Sequence, residues 1–279
     1  MKFTLHIGLP KTGTTSLQSM LGRAKDVTFV HRHQAKVRQR ICAVLRMYMH
    51  TAEERPSLGR WLEIASQDLN NIFETSRTEN KCLVVSDENI SMTPMELWNW
   101  AGSAPEQVCD KLHYFLRDVA KIPGDIQILL GTRDHAIWLA SRFAKFGCVN
   151  AYKQGFTQHA KENQQLFFED FLSELAGGRP LVHSLGWLDY KRVSEAFGSA
   201  FGARNVKLYS LENLQTHPRE TLLDLENFLG TSELYNQSGS TPPENVARVS
   251  ELKWSFHGFE FCLPQELCQR VGARFENLR

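Results

Sequence analysis

The chain has 279 residues, 42% of them hydrophobic and 23% charged, with a formal net charge of +1. Such a length and composition suit a globular α/β domain and exclude a disordered or fibrous chain. The near-neutral charge argues against a dedicated nucleic-acid binder, and no run of about 18 apolar residues marks a membrane span.

Phe3, Leu5 and Ile7 alternate with polar residues and predict a first strand. A loop rich in Gly, Lys and Thr follows from Gly8 to Thr15, then a helix with Leu17, Met20 and Leu21 at helical spacing. The N-terminus runs straight into this strand, which leaves no room for a signal peptide. Val27 to Val30 reads as a short strand. After it comes a basic stretch of His31, Arg32, His33, Lys36, Arg38, Arg40 and Arg46, with Val37, Ile41, Val44, Leu45 and Tyr48 interleaved at helical spacing. Its basic face is either simply solvated or borders a site and attracts an anion.

Leu58 to Arg77 predicts a long helix, and Lys81 to Val85 a buried parallel strand followed by Ser86, Asp87 and Glu88. Pro105 to Ala120 reads as helix, Ile126 to Gly131 as strand, and 136–146, 158–175 and 187–201 as helices. Val206 to Leu211 is the last predicted strand, and Pro218 to Leu229 a helix ending at Gly230. The last fifty residues show only weakly patterned helical pieces. The six cysteines (Cys42, Cys82, Cys109, Cys148, Cys262, Cys268) form no C-x-x-C pair and read as buried free thiols.

Strands separated by long helical stretches predict an α/β fold in three layers, a mainly parallel sheet flanked by helices. One domain is expected over 1–279, with a helical insertion around 32–77 and a less defined segment at 231–279. Ligands of such folds bind beyond the carboxyl ends of the strands. Lys11, Glu88, Arg133 and Glu212 recur at those ends.

Two motifs carry chemistry. Strand, small-residue loop and helix form the layout of an anion cradle, in which backbone N–H groups and the helix dipole face the anion. A Walker A loop reads G-x-x-x-x-G-K-[ST]. Gly8 and Gly13 have its spacing and Thr15 its last position, but Thr14 stands in the lysine place and Lys11 lies three residues earlier. The second motif is LLGTRDHAIWLASRF, with Arg133 after a strand and Ser141 eight residues later. The guanidinium fork and the hydroxyl can converge on one anion. An ion pair of Arg133 with Asp134 is the plainer alternative.

The run Pro10-Lys11-Thr12-Gly13-Thr14-Thr15 after the first strand resembles the 5′-phosphosulfate loop of sulfotransferases. Arg133 and Ser141 resemble their 3′-phosphate motif, R-x₇-S. Glu212-Asn213-Leu214 and Phe228-Leu229-Gly230 resemble a later scaffold segment. The resemblance covers scattered blocks from Met1 to Gly230. It implies a fold related to P-loop NTPases and a 3′-phosphoadenosine-5′-phosphosulfate (PAPS) donor, with no metal required. It assigns the donor to Pro10, Lys11, Thr12, Gly13, Thr14, Thr15, Ser16, Arg133 and Ser141.

The chain departs from the cytosolic small-molecule enzymes. Ser16 and Leu17 occupy the place of their adenine-stacking Trp, and their R-K-G-x-x-G segment is missing, with Arg248 and Lys253 as replacements to test. K-T-G-T-T-S-L-Q with S-D-E is more similar to bacterial and carbohydrate-type sulfotransferases. In those a Glu after the corresponding strand is the base, which implies Glu88, with Asp87 its competitor. Ser86-Asp87-Glu88 can also be a turn cluster. Lys11 would stabilise the departing phosphate.

The expected enzyme moves a sulfuryl group to a hydroxyl, or an amine, of a carbohydrate, glycolipid or small metabolite. It needs no nucleic acid, and with no anchor readable it is expected in the cytoplasm. The alternatives are a P-loop kinase of a small molecule and a non-catalytic module that binds PAPS or another nucleotide. Trp98, Trp100, Tyr152 and Phe156 either stack on an acceptor or belong to the core.

Overall fold

The computed structural model describes residues 1–9, 12–51, 56–91, 103–135, 137–138, 173, 176–177, 183–238, 253–256, 259–262, 266, 269–271 and 273. In chain order the elements are β1 (Phe3–His6), α1 (Thr14–Arg23), β2 (Val27–His31), α2 (Lys36–His50), α3 (Pro56–Thr78) and β3 (Cys82–Ser86). Next come α4 (Pro105–Tyr114), β4 (Ile126–Thr132), α5 (Tyr190–Phe201), β5 (Val206–Ser210), α6 (Leu211–Thr216), α7 (Pro218–Leu229) and α8 (Leu234–Ser238). A hairpin of β6 (Lys253–Phe256) and β7 (Phe259–Cys262) follows.

The first five strands form one all-parallel sheet in the order β2-β3-β1-β4-β5. Their apolar runs are the signature of strands buried on both faces. Side-chain alternation splits the core in two. Leu5, Leu83, Val85, Ile128 and Leu130 pack with α2, α3, α4 and α5. Val84, Leu129 and Tyr209 pack with Leu17, Met20 and Leu21 of α1 and with Leu222, Leu225 and Leu229 of α7. The three-layer α/β expectation is therefore met.

The chain leaves β1 through α1 on one face and approaches β4 through α4 on the other. In open sheets of this topology ligands bind at the carboxyl edge where such connections diverge, which here is between β1 and β3.

Local boundaries differ from the expectations in four places. The helix from Pro105 ends as α-helix at Tyr114 and continues as a π turn over Phe115–Val119, with the Ala120 N–H donating to the Phe115 carbonyl at 2.7 Å. Trp187 lies in a 3₁₀ turn, and α5 begins at Tyr190 because the Asp189 carboxylate accepts from the Arg192 N–H. β5 stops at Ser210, whose hydroxyl accepts from the Asn213 N–H and starts α6 at Leu211. The C-terminal segment holds an antiparallel hairpin rather than only helical pieces, with Trp254 opposite Phe261. The helices expected at 136–146 and 158–175 fall almost wholly outside the described residues, as do Trp98, Trp100, Tyr152, Phe156 and Arg248. Cys42, Cys82 and Cys109 are buried free thiols, as expected. Among the described residues no helix is long and apolar enough to cross a membrane.

Candidate active site

The carboxyl edge of the sheet carries the candidate residues in spatial order. Arg32 follows β2, Asp87 and Glu88 follow β3, the Gly8–Gly13 loop follows β1, Arg133 follows β4 and Glu212 follows β5.

The loop is held at several points. The Ile7 N–H donates to the Leu129 carbonyl at 3.0 Å, and the Ser91 hydroxyl to the Gly8 carbonyl at 2.8 Å. Thr12 is fully buried and its hydroxyl donates to the Leu9 carbonyl at 2.6 Å. That proton is spent on the shape of the loop. Gly13 turns the chain into α1 with φ +79°, a left-handed conformation that favours glycine. Among the described residues no side chain caps the first turn of α1, and no acidic residue lies in that turn. The N–H groups at Thr14, Thr15 and Ser16 are thus available to an anion. Thr14 is buried, Ser16 is half-buried and Thr15 is exposed. Pro10 and Lys11 lie outside the described residues.

Beneath the loop, Gly131 of β4 approaches closely. A Cβ there would stand 2.5 Å from Thr12 Oγ1 and 2.9 Å from the Tyr209 hydroxyl. The missing side chain lets Tyr209 reach across β4 from β5 and meet His6 of β1 at 3.0 Å. His6 also meets Ser86 Oγ at 2.8 Å, so one imidazole ties β5, β1 and β3 together. Burial lowers His6 to about 4, so the ring is neutral.

Ser86 leads to the carboxylates. Gln18, on α1 one turn past Thr14, donates to Ser86 Oγ and to Glu88 Oε2, both at 3.0 Å. Arg32 donates to Glu88 Oε1 at 2.8 Å and to Asp87 Oδ1 at 3.0 Å. Burial pushes Glu88 upward, but the Arg32 guanidinium and the Gln18 amide outweigh it and hold the carboxyl below its ordinary range. Burial raises Asp87, and Arg32 offsets this only in part. The Asp87 side chain has no exposed surface, whereas Glu88 keeps 12%. Of the two, only Glu88 can touch an acceptor. Its bonds leave a lone pair on each oxygen.

Arg133 is half-buried, and burial lowers its pKa while Glu212 and Asp134 act the other way. Its backbone is clamped by Tyr190, whose hydroxyl donates to the Arg133 carbonyl at 2.8 Å. Asp134 accepts from the Ile137 N–H at 2.9 Å and so starts the next helix. Glu212 Oε1 accepts from the Asp134 N–H at 3.1 Å, orienting loop backbone between β4 and β5. Ser141 lies outside the described residues. Among the described residues no group of His, Cys, Asp or Glu side chains could hold a metal ion.

Sequence reasoning reached Glu88 and Arg133 but missed Gln18 and His6 as site elements and met Arg32 only within a basic run. Gln18 had a usable signal: four residues past Thr14, it lies on the helix side that faces the loop.

No family model matches the chain, and no curated protein matches it. Solved structures do. A sulfotransferase from Alicyclobacillus acidocaldarius aligns over 100% of this chain and 92% of its own, at 15% identity and a TM-score of 0.51. The sulfotransferase domain of the Synechococcus PCC 7002 olefin synthase aligns over 99% of this chain and 94% of its own, at 13% identity and a TM-score of 0.49. At such identities the likeness is one of fold, and the first structure carries it. The fold of this chain is similar to that of the Alicyclobacillus acidocaldarius structure.

Proposed function

We propose that this chain, built on a sulfotransferase fold, transfers a sulfuryl group from PAPS to a hydroxyl-bearing acceptor, a carbohydrate or small metabolite. The observation that carries the reading is the order along the sheet edge. An uncapped anion cradle sits between a partly exposed carboxylate, Glu88, on one side and a half-buried cation, Arg133, on the other. The residues present fit such a donor. Free N–H groups at Thr14, Thr15 and Ser16 suit the 5′-phosphosulfate, and Arg133, with Ser141 as its assigned partner, suits the 3′-phosphate. Bound PAPS would supply an activated sulfuryl group on an adenosine 3′,5′-bisphosphate leaving group.

The chain then has two tasks. Glu88 positions the acceptor hydroxyl and takes its proton at a free carboxylate lone pair. Arg32 and Gln18 fix the orientation of that carboxylate. The cradle, with Lys11 assigned to its lip, meets the negative charge that grows on the departing phosphate oxygen. Transfer of this kind rests mainly on positioning and charge stabilisation.

The test is incubation with ³⁵S-labelled PAPS and an acceptor panel, beside calorimetry with adenosine 3′,5′-bisphosphate. Label transfer with nucleotide binding independent of magnesium is expected. ATP turnover that needs magnesium would replace this reading with a kinase. Tight binding with no transfer to any acceptor would leave a nucleotide-binding module.

A further inference from the structure

The basic stretch of α2 builds a cleft beside the candidate base. Arg32, His33, Lys36, Gln39, Arg40, Ala43 and Arg46 line a cavity of about 430 Å³. That volume is within the range of small-molecule sites. Lys36, Arg40 and Ala43 fall at helical spacing and share one face of α2, with Gln39 and Arg46 beside them. Four of the seven lining residues are cationic and none is acidic.

Two of the cations are already paired: Arg32 with Asp87 and Glu88, and Arg40 with Asp68 at 2.6 Å. Among the described residues no carboxylate pairs with Lys36 or Arg46. Arg46 lines the same cavity as Arg32, which pairs with Asp87 and Glu88.

Position tells which anion the cleft faces. Along the sheet edge the cradle follows β1, and Arg133 follows its neighbour β4. The cleft lies at β2, on the far side of Glu88 from both. A donor stretched from the cradle toward Arg133 runs away from it. The side of Glu88 left for the acceptor is the basic one.

We propose that the acceptor carries an oxyanion of its own, a phosphate monoester or a carboxylate, and that Lys36 and Arg46 bind it in this cleft while Glu88 meets its hydroxyl. The assignment deepens the sulfotransferase reading and rests on it for the word acceptor. The anion site itself is testable alone. Unpaired, part-solvated cations each contribute modestly, and two together set about a tenfold preference that salt weakens.

Calorimetry tests it, with glucose 6-phosphate and glucuronate as anionic probes and glucose as the neutral control. Titrations are run with and without adenosine 3′,5′-bisphosphate, on the wild type and on a Lys36→Ala/Arg46→Ala double variant whose fold is checked by circular dichroism. At least one anionic probe should bind where glucose does not. Its affinity should fall about tenfold in the variant and also fall between 50 and 300 mM salt, roughly as screening requires. Nucleotide affinity should be the same in both proteins. The proposal is overturned if neither anionic probe binds better than glucose, or if the variant binds both as the wild type does. It is also overturned if the variant loses nucleotide affinity instead, since the cleft would then serve the donor. A wild type that binds a probe but no nucleotide would keep the anion site and remove the sulfotransferase reading.

Discussion

At the scale of single residues, the site turns on one guanidinium shared by two carboxylates. Arg32 divides its fork between Asp87, which is sealed from solvent, and Glu88, which is not. Replacing Glu88 by Gln keeps the shape and removes the carboxylate proposed as proton acceptor. Turnover should fall about 10²-fold while adenosine 3′,5′-bisphosphate still binds, as single-turnover kinetics and calorimetry would show. Arg32→Ala strands a buried charge on Asp87. Urea unfolding should register a loss of about 3 kcal/mol, and Arg32→Ala/Asp87→Asn should recover part of it. No recovery would mean that Arg32 acts through packing alone. Glu88 was legible in the sequence because it follows a compact apolar run. Its partner was not, because Arg32 lies 56 positions earlier and meets it only where β2 and β3 pair. That pairing is a fact of topology, which local periodicity does not carry.

At the scale of elements, the loop depends on the strand beneath it. Gly131 leaves the space that the Thr12 hydroxyl and the Tyr209 ring fill from either side. Gly131→Ala should drive both away and cost about 1–3 kcal/mol in urea unfolding. It should weaken nucleotide binding as well, because Thr12 shapes the loop. Gly13→Ala should weaken binding by another route, straining the left-handed entry to α1 by about 1–2 kcal/mol. Most sheet strands and long helices were readable, since buried parallel strands are short apolar runs and helices show their stripe. The β6–β7 hairpin was overlooked, although Trp254, Phe256, Phe259 and Phe261 alternate around His257-Gly258, a usable hairpin pattern. No sequence period marks Gly131, for its role is to be absent between two side chains that come from elsewhere.

At the scale of the whole molecule, burial of histidines couples the fold to pH. His6 and His31 are both lowered from 6.5 to about 4, chiefly by burial. Between those values the unfolded chain takes up protons that the folded chain refuses. Stability should therefore be intact above about pH 6.5 and decline as pH falls toward 4, by up to about 1.4 kcal/mol per pH unit and histidine. Urea midpoints at pH 7.5, 5.5 and 4.5 would measure it. His31→Phe should flatten the slope, and an unchanged slope would mean the ring is protonated in the folded protein. The general reading of the molecule, an α/β sheet with an anion cradle at its carboxyl edge, was available from residue patterns. The order of the candidate residues along that edge was not, because strand order is a property of the closed sheet.

The His6 tie has a further consequence. It joins β5, β1 and β3 beneath the loop, while hydrogen bonds to Leu129, from Ser91 and to the Leu9 carbonyl hold the described part of the loop. The ordering entropy of these anchor points is lost when the chain folds, not when a nucleotide arrives. Hydrogen exchange at the Ile7 amide should then be slow in the free protein and change little on binding.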